Sequence, residues 1–172
     1  MTMTNNKYYS DRQENMIADY LGWRPVVGSG SRPFTPGDVG SYQWLGECKT
    51  HDTEKKNIVF LKKHWLKICE EAYAKHRRPI LFTDNGTQRS ENTWVMLPLN
   101  TFNPAIVNII EGLKNTSTKG TSFTFNLVDA KLLYRNNHVD GKYNVFKIIW
   151  ENRDLAVIPL SVFKEFCGEE FG

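Results

Sequence analysis

Two carboxylates and an amine stand close together in the first third of the chain: Asp38, Glu47 and Lys49. In an extended strand alternate side chains share a face, so Glu47 and Lys49 point the same way and Cys48 points into the opposite layer. A turn near Gln43 would carry Asp38 back beside Glu47 through antiparallel pairing, and two carboxylates and an ammonium would then converge. Neighbouring carboxylates repel unless a cation lies between them. Oxygen donors of this kind suit Mg²⁺ or Mn²⁺, which retain waters and admit a substrate phosphate to the same shell. An ion held there polarises a phosphodiester and acidifies a bound water. Lys49 would orient that water or offset negative charge as it builds up. A salt-bridged surface hairpin is the plainer alternative, and context weighs against it. Asp38 follows a Pro36-Gly37 turn, Glu47-Cys48-Lys49 sits on an expected buried strand, and a basic segment comes next.

The order and spacing of these residues resemble the PD-(D/E)xK nuclease superfamily, and within it the Holliday-junction-resolvase-like and related phage endonucleases. The resemblance covers about residues 10 to 84, with Gly37 where the nominal motif has proline. It implies an α/β (α+β) fold with a restriction-endonuclease-like core, a central mixed sheet flanked by helices, here followed by a β-rich C-terminal extension. It also implies a Mg²⁺- or Mn²⁺-dependent deoxyribonuclease. Its metal ligands would be Asp38, Glu47, Glu14 and the backbone carbonyl of Cys48, with Lys49 as the catalytic amine.

Glu14 has independent support, since it precedes Ile17, Ala18 and Leu21 at helical spacing, on the edge of an apolar stripe. A glutamate in the first turn is also what a helix dipole favours. The Gly28-Ser29-Gly30-Ser31-Arg32 loop offers accessible backbone N–H groups and hydroxyls to a phosphate. By the resemblance a serine there assists catalysis; Ser29 and Ser31 are equal candidates, and Arg32 a DNA contact.

Residues 49 to 78 hold nine basic side chains against four acidic ones (Asp52, Glu54, Glu70, Glu71), a local surface suited to a polyanion. Lys55, Lys56, Lys62 and Lys63 are the expected phosphate contacts. His51 and His64 are weaker metal-ligand candidates, because neither has a partner at ligand spacing. Trp65 lies on an apolar stripe and is expected in the core.

The elements that must position these groups follow from periodicity. Ser10 and Gln13 form a capping-box signature ahead of a helix over residues 10–21. Strands are expected at 23–27, 38–42 and 45–50, a helix over 57–75, a strand at 79–83 and an edge strand at 93–97. A helix opened by Pro104 over 103–113, an exposed connection over 114–121, strands at 122–134, 142–150 and 155–158, and a helix over 160–167 complete the pattern.

With 172 residues, 40% of them hydrophobic, the chain has the size of one domain, a core at about 10–99 and an extension at about 100–172. It has no run approaching the roughly 18 to 20 apolar residues of a membrane span, and no signal-peptide-like start. Cys48, Cys69 and Cys167 are too far apart in sequence for a zinc motif. A soluble cytoplasmic protein is therefore expected, in a bacterial or phage-infected cell. The leading expectation is a structure-selective endonuclease acting on DNA as a homodimer, since symmetric cutting of two strands calls for two centres. A sequence-specific restriction-like nuclease is the second, with base-reading loops in the last 80 residues. A DNA-binding module that has lost catalysis is the third, and the intact Asp38, Glu47 and Lys49 set argues against it.

Overall fold

The computed structural model describes residues 2–25 and 37–171, with side chains from 6 to 25 and from 37 to 169. The chain opens with α1 (Thr2–Leu21), followed by β1 (Arg24–Pro25), β2 (Val39–Gly40) and β3 (Trp44–Lys49). Next come β4 (Asn57–Leu61), α2 (Lys62–Ala74), β5 (Arg78–Thr83) and β6 (Trp94–Pro98). The last part contributes β7 (Val107–Ile109), β8 (Ser122–Asn126), α3 (Leu127–Asn137), β9 (Tyr143–Trp150), β10 (Arg153–Pro159) and α4 (Leu160–Phe171).

Eight of these strands form one mixed sheet, ordered β1-β2-β3-β5-β6-β10-β9-β7, and β4 pairs with β8 in a separate two-stranded ribbon. β1, β2 and β3 are antiparallel neighbours, whereas β3 and β5 are parallel and joined through α2. A parallel pair needs such a crossover. Each sheet face carries its own core. Leu45, Leu81, Met96 and Phe146 pack against Trp65, Ile68 and Ala72 of α2, Ala130 of α3 and the β4-β8 ribbon. Trp44, Cys48, Phe82 and Val95 pack on the other face against Ile17 and Ala18 of α1 and Phe163 of α4. Burying each such side chain contributes about 1.5–3 kcal/mol. The fold is thus mixed α/β, with four helices flanking a large mixed sheet. No helix among the described residues is long and apolar enough to cross a membrane.

Several sequence expectations give way to tertiary context. Residues 57–61 are a strand, because Ile58 and Phe60 alternate inward and the backbone pairs with residues 122–126; α2 starts only at Lys62. Residues 127–137 are a helix, because the Asn126 side chain accepts a hydrogen bond from the Asp129 N–H at 3.0 Å and caps it. Pro104 opens a single 3₁₀ turn, and residues 107–109 then pair in parallel with β9. β6 is not an edge strand but lies between β5 and β10. α1 already runs through Ser10, so Ser10 and Gln13 do not cap it. β9 and β10 of the C-terminal part continue the same sheet that carries β3.

Candidate metal centre

The hairpin that brings Asp38 to β3 is built by local chemistry. Ser41 Oγ accepts from the N–H groups of Gln43 at 3.3 Å and Trp44 at 3.2 Å and closes the turn. Asp38 N–H donates to the Gly46 carbonyl at 2.7 Å. Its carboxylate Oδ2 accepts from the Cys48 N–H at 2.8 Å. A residue's N–H and C=O leave a strand on the same edge, so the Cys48 carbonyl also lies on the Asp38 side of β3. Gly37 turns the chain into this position with φ +72°, where a Cβ would come within 2.7 Å of the buried Leu45 side chain. Proline, fixed near −65°, does not reach that φ.

Glu14 reaches the same place from α1. Burial first, then the Asp38 charge, the Asp11 charge and a hydrogen bond with Asp38 push its carboxyl up to about 8 from the ordinary 4.5. A carboxyl raised this far keeps its proton at neutral pH. Glu47 and Lys49 project from the opposite face of β3 to Cys48, as the strand alternation requires. Glu47 is 3% exposed, so its charge needs compensation on the protein side. Two amines supply it: Lys67 Nζ donates to Oε2 at 2.9 Å, and Lys49 Nζ lies 3.5 Å from Oε1. Burial works against the Lys67 charge, but the hydrogen bond and charge of Glu47, with Glu71 and Asp38, outweigh it and raise its pKa.

The residues that sequence reasoning missed lie on α2 and α1. On α2, His64, Lys67 and Glu71 recur at helical spacing on one face; they lie within the helix expected over 57–75, but only the fold shows that this flank meets Glu47 and Gly37. Glu71 pairs with Lys67 at 3.6 Å and accepts from the Gly37 N–H at 2.9 Å. Gln13, fully buried, donates to the Lys49 carbonyl at 2.6 Å. Beyond Lys49, Thr50 donates to the buried Asp84 carboxylate at 2.6 Å, and Gln88 donates to Thr50 Oγ1 and the His51 carbonyl. Burial raises the Asp84 pKa, against the hydrogen bonds from Thr50 and Gly86.

Of the weaker candidates, His64 borders the centre: burial first, then Lys49, Lys63 and Lys67, lower its imidazole to about 4. It is neutral at physiological pH. His51 is exposed, and Trp65 is core as expected. Lys55 and Lys56 lie in the connection before β4 rather than on a helix, exposed like Lys63 on α2. Lys62 is tied to Glu151 at 2.6 Å. Ser29, Ser31 and Arg32 lie outside the described residues.

Among the described residues no three His, Cys, Asp or Glu side chains are gathered at metal-ligand distance. Glu47 faces its two lysines, and Asp38 faces Cys48 and Glu14. The donors that do lie together, the Glu14 and Asp38 carboxyl groups and the Cys48 carbonyl, are all oxygen, the type a hard cation takes. No protein-family model, curated protein or solved structure matches the chain.

Proposed function

We propose that the chain is a divalent-metal-dependent DNA endonuclease with a PD-(D/E)xK centre, selective for branched DNA and acting as a homodimer. The observation that carries this reading is the hairpin. Asp38 bonds to the Cys48 N–H and meets Glu14, while Glu47 and Lys49 leave the same strand 3.5 Å apart. The order of elements supports a restriction-endonuclease-like core: a helix, three antiparallel strands, then, after the separate strand β4, a helix crossing to a strand parallel to the third.

Asp38, Glu47 and the Cys48 carbonyl are the groups that would hold Mg²⁺ or Mn²⁺, with Glu14 as the supporting acid. When bound, such an ion polarises a phosphodiester and acidifies water. Lys49, on the same face as Glu47, offsets negative charge developing on a phosphate and orients a nucleophilic water. Gln13 holds the Lys49 carbonyl, which fixes the backbone from which that amine projects. Lys55, Lys56 and Lys63 neutralise backbone phosphates without reading bases.

The test is incubation of the purified full-length chain with Mg²⁺ or Mn²⁺ and a panel of linear duplex, single-stranded, flap and four-way-junction DNA. Symmetric cuts at the junction, at least about tenfold faster than on linear duplex, are expected from two centres related by a two-fold axis. Cutting of linear duplex at one base order only would transfer the assignment to a sequence-specific nuclease.

A further inference from the structure

We propose that Glu71 is a positioning residue for the carboxylate centre, acting through Gly37 on Asp38; the proposal rests on the metal-nuclease reading above. Glu71 Oε2 accepts the Gly37 N–H at 2.9 Å, and the next N–H, that of Asp38, goes to the Gly46 carbonyl at 2.7 Å. The turn that delivers Asp38 is therefore fixed on one side by a strand and on the other by α2. The remaining oxygen of Glu71 lies 3.6 Å from Lys67, whose ammonium is 2.9 Å from Glu47. A continuous chain of contacts, Gly37 to Glu71 to Lys67 to Glu47, thus joins the two halves of the motif across the helix.

Position matters here because Mg²⁺ accepts little departure from octahedral geometry. Removing a group one step behind a ligand typically weakens metal binding about 10- to 100-fold. The competing account is an i,i+4 ion pair of Glu71 with Lys67 on the helix surface, which contributes little. That account leaves the Gly37 N–H out. Gly37 is buried, and its N–H donates to Glu71 directly beside Asp38 in the chain.

The experiment measures Mn²⁺ binding to the full-length chain by titration calorimetry without DNA, for the wild type, Glu71→Gln, Glu71→Asp, Glu71→Ala and Asp38→Asn. Glutamine keeps an oxygen at the right reach and loses the charge; aspartate keeps the charge and draws the oxygen back by one methylene. Positioning predicts Mn²⁺ affinity within about threefold of wild type for Glu71→Gln and weaker by about tenfold or more for Glu71→Asp and Glu71→Ala. Wild-type affinity in Glu71→Asp with losses in Glu71→Gln and Glu71→Ala would show that only the charge of Glu71 matters, and equal losses in all three would show no dependence on where its oxygen sits; either would overturn the proposal. Should Glu71→Ala fail to unfold cooperatively, the order of the glutamine and aspartate variants decides alone. Loss of Mn²⁺ binding in Asp38→Asn with none in the Glu71 variants sinks the positioning role and leaves the metal centre standing. Wild-type binding in Asp38→Asn sinks the metal centre, and the role of Glu71 with it.

Discussion

The carboxyl groups of Glu14 on α1 and Asp38 at the mouth of β2 are joined by a hydrogen bond, and burial with the Asp38 charge raises Glu14 to about 8. Glu14 therefore keeps a proton in the folded protein that the unfolded chain releases near its ordinary 4.5. Stability associated with this group is fully present below about 4.5 and is lost as pH rises through about 8. Thermal unfolding in chelator should show a falling midpoint across that window, and Glu14→Gln should flatten the fall. Mg²⁺ should raise the midpoint more at pH 8 than at pH 5, because a cation bound there competes with the Glu14 proton. Identical pH profiles for wild type and Glu14→Gln would remove the pairing from the account.

Lys49 is expected to act in the transition state. Lys49→Ala should lower turnover by at least about a hundredfold while DNA affinity stays within a few-fold, since a group used only as charge develops leaves ground-state binding intact. Single-turnover cleavage and equilibrium binding on the same junction separate the two. Equal losses would make Lys49 a phosphate contact.

The lysines divide by their partners. Lys55, Lys56 and Lys63 are exposed, whereas Lys62 is committed to Glu151 at 2.6 Å. Replacing Lys55 and Lys63 by alanine should flatten the slope of log affinity against log salt by up to about two, alike for unrelated DNA sequences of one shape. Lys62→Ala should change it less. An unchanged slope in the double variant would place the DNA path elsewhere on the surface.

Gly37 adopts a φ of +72°, a conformation that proline cannot reach. Gly37→Pro would force a different turn and remove the N–H that donates to Glu71. Denaturant unfolding should show a loss of at least about 1–3 kcal/mol, the scale of a strained backbone position. Wild-type stability in this variant would contradict the conformation described.

The hairpin of residues 38–49 was legible in the sequence because its logic is local. Strand alternation puts Glu47 and Lys49 on one face, and a short hairpin returns Asp38, with no distant segment needed. β4 was not legible, since Ile58 and Leu61 fit a helical stripe as well as Ile58 and Phe60 fit a strand. What decides is the pairing with residues 122–126, far along the chain. The same holds for β7, whose strand character comes from β9. Gln13 read as part of a cap because the helix start was placed at Ser10; its true partner, the Lys49 carbonyl, lies on another element. Lys67 and Glu71 were not legible because their partners, Glu47 and Gly37, lie on other elements that only the packed fold brings to α2.

The central claim is that Asp38 and Glu47 hold a metal for phosphodiester hydrolysis, and cleavage of a labelled four-way junction tests it most directly. The wild type, Asp38→Asn and Glu47→Gln would be compared in Mg²⁺ and in excess chelator, each variant shown to unfold cooperatively. The account predicts strand scission by the wild type in Mg²⁺ only, and a loss of at least about a thousandfold in either variant, since each removes a ligand charge with little change of shape. Scission at the wild-type rate in chelator, or by Asp38→Asn in Mg²⁺, would contradict it.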